Sequence, residues 1–180
     1  MLTIGKQWYR IKSAYPDALV CFEIGAFIEY IALDAYVAHE VLGIKLTARA
    51  MGGGKYALLC GYPSNIRQKF ETKLLNAGYD LVIVAEQSYD EANAQLKARH
   101  VDRIKTVKEA SKKSPQDKQQ AYDVYKEKHL SQLIVKEKAE SKQKKQDVLA
   151  QIKGLNLKRL TGYEALTLLH RWQKEMRQNK

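Results

Sequence analysis

Cysteine and long apolar runs are scarce in this sequence. Its two cysteines, Cys21 and Cys60, lie in apolar segments without a Cys-x-x-Cys motif. We therefore expect them to be reduced core residues of a cytoplasmic protein. No apolar run is long enough to span a membrane, and the N-terminal residues do not resemble a signal peptide, so we expect no membrane partner.

Patterns that bind metals or nucleotides are also lacking. The four histidines do not have the spacing of metal ligands. Three glycines precede Lys55, but a phosphate-binding loop would need a glycine at position 49 and a serine or threonine at position 56. The chain has Arg49 and Tyr56 there. We interpret the glycines as a hairpin loop and expect no cofactor and no hydrolysis of ATP or GTP.

Positive charge is abundant and unevenly distributed. The net charge is +11. Residues 1–87 contain nine Lys and Arg against eight Asp and Glu, whereas residues 88–180 contain 22 against 12. The excess in the second half favours a polyanionic partner such as DNA. A solvated helix would have the same composition, and RNA is the alternative polyanionic partner.

Residues 1–88 have the pattern of an α+β domain. Amphipathic segments predict helices over 6–14, 34–42 and 64–76, with Asp34 as the N-cap of the second helix. Segments rich in apolar and β-branched residues predict strands over 18–24, 27–31, 44–47, 56–61 and 80–86. This order, α-β-β-α-β-β-α-β, predicts a small mixed β-sheet flanked by helices.

The segment from Gly25 to Ile31 contains the candidate recognition residues. In an extended strand, Phe27 and Glu29 point to the same side. An aromatic ring can stack on a base, and a carboxylate can accept a hydrogen bond from it. The alternative is that Phe27 is an ordinary core residue.

Several short motifs of the first half also occur, in the same order, in one family of proteins. They include Tyr9-Arg10-Ile11-Lys12, Tyr15-Pro16, Gly25-Ala26-Phe27-Ile28-Glu29, Asp34-Ala35, Leu46-Thr47-x-Arg49, Cys60-Gly61-Tyr62-Pro63, Lys73-Leu74 and Glu86-Gln87. With them, residues 7–87 resemble the N-terminal mismatch-recognition domain (domain I) of the MutS family of DNA mismatch repair proteins. The chain departs from the family's Gly-Asp-Phe-Tyr-Glu signature at Ala26, where the family has aspartate.

The resemblance implies a role for the Phe-x-Glu pair. Phe27 would enter the minor groove and stack on a mispaired or unpaired base, and Glu29 would hydrogen-bond that base where the DNA kinks. We include Arg49 and Lys55 in the predicted DNA-binding site. The implied partner is duplex DNA, either mismatched or otherwise distorted.

The second half is predicted to be helical. We assign residues 89–146 to a basic helical linker or arm, with a long helix over 116–153, and residues 147–180 to a C-terminal helical hairpin. Leu166, Leu169 and Trp172 share one face of the last predicted helix. They are candidates for self-association into a homodimer, and the alternative is that the hairpin closes on its own chain.

The pattern from Leu157 to Leu169 resembles the C-terminal end of bacterial MutS proteins. In that family a helical tail beyond the ATPase core helps subunits to associate. Together the two resemblances imply a chain that joins the two ends of the family without the central clamp and ATPase parts.

The sequence therefore favours a non-catalytic DNA-binding protein with a mismatch-recognition-like module. The alternative is an interaction or regulatory module that keeps the fold without base reading, for example one that binds repair or mobile-element proteins. A metal-dependent nuclease would need a Glu-x-Lys motif at adjoining strand ends. The candidate, Glu71-Thr72-Lys73, lies in a predicted helix, so we expect no enzymatic activity.

Overall fold

The computed structural model describes residues 4–86, 99–108, 111–155 and 161–177. The helices are α1 (Ile4–Ala14), α2 (Leu33–Leu42), α3 (Arg67–Asn76), α4 (Gln119–Lys153) and α5 (Gly162–Arg177). The strands are β1 (Leu19–Ile24), β2 (Phe27–Ile31), β3 (Thr47–Gly52), β4 (Lys55–Pro63), β5 (Leu81–Glu86) and β6 (Arg99–Lys105). Short 3-10 helices cover Ser64–Ile66 and Pro115–Lys118.

The described strands form one mixed sheet in the order β3-β4-β2-β1-β5-β6. β1 pairs in parallel with β5, and the other neighbouring strands are antiparallel. The predicted α+β class and the predicted order of the first eight elements are confirmed. The third strand, however, begins at Thr47, where the prediction ended it. Its pairing with β4 explains this shift, because the strand must lie next to the hairpin loop that joins the two.

Strand β6 was not predicted. Residues 99–105 pair antiparallel with β5, so the helical prediction for this stretch is wrong, and the sheet extends beyond the boundary placed at residue 88. Val101 packs against the core, but the strand contains few apolar residues and therefore no strong periodicity. Its charged side chains suit the edge of a sheet, where unpaired backbone groups would otherwise attract other strands.

Helices cover both faces of the sheet. Trp8, Ile11 and Tyr15, from α1 and the turn after it, pack on the face that presents Phe22 and Ile31. Helices α2 and α3 lie on the opposite face. There the Sγ of Cys60 on β4 donates to the carbonyl of Ala35 on α2 at 3.2 Å, and the rings of Tyr62 on β4 and Phe70 on α3 are 4.7 Å apart.

The two cysteines belong to this core. Both Cys21 and Cys60 are buried and free, which confirms the prediction of reduced core residues. Burial, together with the nearby charge of Glu71, raises the pKa of the Cys21 thiol to about 12. The thiol therefore stays protonated and behaves as a small apolar side chain.

Asp34 joins three elements in the core. Its carboxylate is fully buried and accepts hydrogen bonds from Lys12 Nζ at 2.7 Å, from Trp8 Nε1 at 3.2 Å and from the backbone amide of Val20 at 3.2 Å. The prediction that Asp34 caps α2 is therefore wrong, because its oxygens accept from α1 and β1 instead. The N-cap of α2 is Ala32, which makes no side-chain capping bond.

The chain divides into two compact units, residues 1–131 and 132–180. In the first unit, the rings of Tyr122 and Tyr125 from α4 contact that of Tyr36 on α2, with centroids 6.2 and 5.4 Å away. In the second unit, Trp172 Nε1 on α5 donates to Gln151 Oε1 on α4 at 3.0 Å. The predicted tail of two helices is thus present, but its first helix is the C-terminal part of α4.

None of the helices in the described part of the chain is long and apolar enough to cross a membrane.

Replacing Asp34 by asparagine tests the buried ion pair. The change preserves side-chain volume but leaves the Lys12 ammonium, itself buried, without its counter-charge. We expect Asp34→Asn to lower the free energy of unfolding by about 3–5 kcal/mol, measured by urea denaturation. The control Glu127→Gln, at an exposed position of α4, should change it by less than about 0.5 kcal/mol. Similar losses in both variants would contradict this role for Asp34.

Candidate nucleic-acid interface

The β1–β2 hairpin places Phe27 at the edge of the domain. Ile24 pairs with Phe27, so the loop consists of Gly25 and Ala26. Gly25 has a φ of 58°, and a glycine with positive φ at the first loop position is typical of a type II′ turn. Ala26 does not have a positive φ, so an alanine is compatible with the position where the family has aspartate. Its carbonyl accepts from the Ser64 amide at 2.8 Å, which anchors the loop.

Burial decreases along the face of β2 that carries the candidate residues. Ile31 is in the core, Glu29 is half-buried, and Phe27 is 48 % exposed. Phe22, on the neighbouring strand and the same face, is fully buried. The alternative that Phe27 is an ordinary core residue therefore does not describe its position.

Glu29 forms an ion pair with Arg49 on β3, whose Nη1 donates to Glu29 Oε2. The two strands are not neighbours, because β4 lies between them, with Gly61 opposite Glu29 and Ala57 opposite Arg49. A Cβ at Gly61 would lie 3.3 Å from Glu29 Cγ and 2.6 Å from the carbonyl oxygen of Ile28. The missing side chain at position 61 thus gives Glu29 room to reach across β4.

Lys55 lies on the side of Arg49, away from Phe27 and Glu29. It begins β4 after a two-residue loop in which Gly53 and Gly54 have φ values of 60° and 73°, the geometry of a type I′ turn. The interpretation of the glycines as a hairpin loop is therefore confirmed. Lys55 is exposed. It lies two residues from Ala57, which pairs with Arg49, but about 20 Å of strand from Gly61, which pairs with Glu29. The structure brings together Glu29 and Arg49, with Phe27 two residues before Glu29 on the same face of β2.

The three candidate residues for self-association differ in exposure. Leu166 and Leu169 on α5 are 59 % and 51 % exposed, whereas Trp172 is buried and hydrogen-bonded within the second unit. Leu149 and Ile152 on α4 are exposed as well. Apolar surface is therefore present on both helices of this unit, and Trp172 belongs to the contact between them. Leu157, the first residue of the tail pattern, lies outside the described residues.

Glu71, the acidic residue of the nuclease alternative, anchors β6 to α3. It accepts hydrogen bonds from Arg67 Nε at 2.6 Å and from Lys105 Nζ at 2.7 Å. Burial raises the pKa of Glu71, but the hydrogen bonds from Lys105 and Arg67 outweigh it, so that the pKa lies below its ordinary value. Within the described ranges, no three or more His, Cys, Asp or Glu side chains are grouped so that they could hold a metal ion.

The comparisons with known proteins agree on one family. Residues 3–113 match the family model described as MutS domain I. The DNA mismatch repair protein MutS of Porphyromonas gingivalis is 40% identical over 78 residues, which are 43% of this chain and 9% of that protein. The MutS protein of Halothermothrix orenii is 39% identical and that of Aquifex pyrophilus 37% identical, each over 102 residues, which are 56% of this chain and 11% and 12% of those proteins.

The chain thus spans about a tenth of the length of these curated relatives. The matched region contains the whole described sheet and the Phe27–Glu29–Arg49 cluster. Since the family model covers more than half of the residues, this chain belongs to the MutS domain I family.

Proposed function

We propose that this protein is a non-catalytic DNA-binding module that recognises mismatched or distorted duplexes by inserting Phe27. The exposed ring of Phe27, beside the half-buried carboxylate of Glu29, is the observation that carries the proposal. The named relatives are DNA mismatch repair proteins, and we extend their association with mismatches to this chain as a hypothesis.

The physical basis is the cost of unstacking. An apolar wedge must separate two base pairs, and this costs least where a mismatch has already weakened the stack. Phe27 projects from a strand whose loop is anchored at Ser64, so little conformational entropy is lost when the ring is inserted. Glu29 would then accept a hydrogen bond from a base that has lost its normal partner.

Affinity for the DNA backbone would come from the basic second half. Lys138, Lys142 and Lys145 are exposed on α4, at spacings that place them on one face of the helix. Such a row can neutralise phosphates and release counterions, which favours binding without sequence preference. In this proposal, the helix supplies affinity, and Phe27 with Glu29 supplies discrimination.

We further propose that the protein forms a homodimer through its tail. The exposed leucines Leu166 and Leu169 on α5 and the exposed apolar residues Leu149 and Ile152 on α4 support a second copy as the partner, since burying them removes apolar surface from water. Two linked copies would also hold one duplex more tightly than a single copy, because the second contact becomes intramolecular.

Removing the Phe27 ring tests the wedge. Because about half of Phe27 is exposed, Phe27→Ala should change the free energy of unfolding by less than about 1 kcal/mol. It should nevertheless abolish the preference for a duplex with a G·T mismatch or a single unpaired thymine over a matched duplex, measured by fluorescence anisotropy.

Phe22→Ala is the matched control, since Phe22 is fully buried on the adjacent strand. This variant should lose about 3–5 kcal/mol of stability. A Phe27→Ala protein that retains the mismatch preference of the wild type would refute the wedge. Equal binding of all duplexes by the wild type would favour the interaction-module alternative.

Neutralising the row of lysines tests the source of affinity. A Lys138→Gln, Lys142→Gln, Lys145→Gln triple variant should weaken binding to matched and mismatched duplexes alike. The slope of log Kd against log salt concentration should decrease by about two to three, since each lost phosphate contact removes about 0.9. The corresponding Lys→Arg triple keeps the charges and should keep the slope. An unchanged slope in the glutamine variant would mean that this helix is only solvated.

A charge at Leu169 tests the dimer. Leu169→Asp places a carboxylate on the exposed apolar surface of α5, so it should give a smaller species than the wild type in light scattering at equal concentration. Gln173→Asp introduces the same charge at an exposed position of the same helix and should behave as the wild type. A wild-type mass equal to one chain at all concentrations would disprove the dimer.

A further inference from the structure

We infer that Arg49 is a positioning residue for base reading, which acts on DNA through the carboxylate of Glu29 and not by contacting a phosphate. The inference rests on the proposed function, in which Glu29 accepts a hydrogen bond from the defective base. It also assigns Arg49 a different role from the direct DNA contact predicted from the sequence.

The first observation is the ion pair itself. Arg49 Nη1 donates to Glu29 Oε2, and the two side chains are only 24% and 15% exposed. A guanidinium is planar and presents its donors in a fixed fork. With its Nη1 held on Glu29 Oε2, Arg49 restrains the orientation of the carboxylate and has fewer donors to offer to a phosphate.

The second observation is the room made for the pair. Glu29 reaches Arg49 only across β4, and the Glu29 side chain lies beside Gly61 on that strand. A side chain at position 61 would press on Glu29 Cγ, at 3.3 Å, and would clash with the backbone of Ile28. The contact therefore depends on three strands in register, which is a rigid support for a recognition group.

Electrostatics also favours this role for Arg49. A carboxylate near the DNA backbone is repelled by phosphates, and the repulsion grows as water is excluded from the interface. Arg49 compensates the charge of Glu29 before DNA arrives, so that the acceptor can approach a base at lower cost. A carboxylate has two oxygens and about four acceptor sites, so pairing with Arg49 does not exhaust its capacity to accept from a base.

A double-mutant cycle tests the inference in the full-length chain. Wild type, Arg49→Gln, Glu29→Gln and the double variant are compared by two quantities. One is the ratio of Kd for a matched duplex to Kd for a G·T duplex, and the other is the slope of log Kd against log salt concentration. Thermal unfolding monitored by circular dichroism verifies that each variant is folded.

Arg49→Gln should lower the Kd ratio by about tenfold, as expected for loss of a charge-assisted hydrogen bond, and should leave the salt slope unchanged. In the Glu29→Gln background, the same change should have no further effect on the ratio. Arg49→Lys, which keeps a charge near Glu29 without the fork, should recover part of the ratio. It also provides the test if Arg49→Gln does not fold.

Lys69→Gln is the charge control, because Lys69 is exposed on α3, which covers the opposite face of the sheet. It should leave the Kd ratio unchanged. If Arg49→Gln instead weakens binding to both duplexes equally and lowers the salt slope by about one in both backgrounds, Arg49 contacts phosphate and the inference is wrong. If the Kd ratio of Arg49→Gln equals that of the wild type, the inference is also wrong. A ratio of one in the wild type would overturn the proposed function itself, together with this inference.

Discussion

The buried carboxylate of Asp34 fixes the position of the elements around it. Lys12 and Trp8 from α1 and the amide of Val20 from β1 all donate to it, while Asp34 itself belongs to α2. A buried ion pair is a weak source of net stability, because desolvation offsets much of the attraction. It is nevertheless a strict geometric constraint, since any displacement of α1 or α2 would leave a charge without its partner.

The constraint matters for the candidate interface because β1 pairs with both β2 and β5. Holding β1 against the helices also holds the hairpin that carries Phe27. From this fixed part, burial decreases along β2 until the Phe27 ring is exposed at the loop. Glu29 lies between the core and the exposed ring, where Gly61 and the Arg49 ion pair determine its orientation. The rigid sheet thus presents the exposed Phe27 ring and the Glu29–Arg49 ion pair, whose charges compensate each other, on one face.

The local sequence pattern predicted the order of the first eight elements. It also predicted the shared face of Phe27 and Glu29, because the two-residue period of a strand is a local property. It did not predict contacts between residues that are distant in the sequence. β6 is specified by pairing with β5 rather than by its own apolar residues. Asp34 has the local appearance of a helix cap, but its acceptors face donors from α1 and β1. The Arg49 ion pair joins residues of strands separated by another strand, so it depends on the sheet order, which no local pattern indicates.

The proposed function depends on Phe27 unstacking DNA at a mismatch. A duplex with 2-aminopurine next to a G·T mismatch reports this step, because the emission of this base rises when its neighbours no longer stack on it. With saturating protein, the emission should rise for the wild type on the mismatched duplex. It should not rise on the matched duplex, nor for Phe27→Ala at concentrations that saturate binding. Equal emission from the mismatched duplex with wild type and with Phe27→Ala would show that the Phe27 ring does not unstack the DNA.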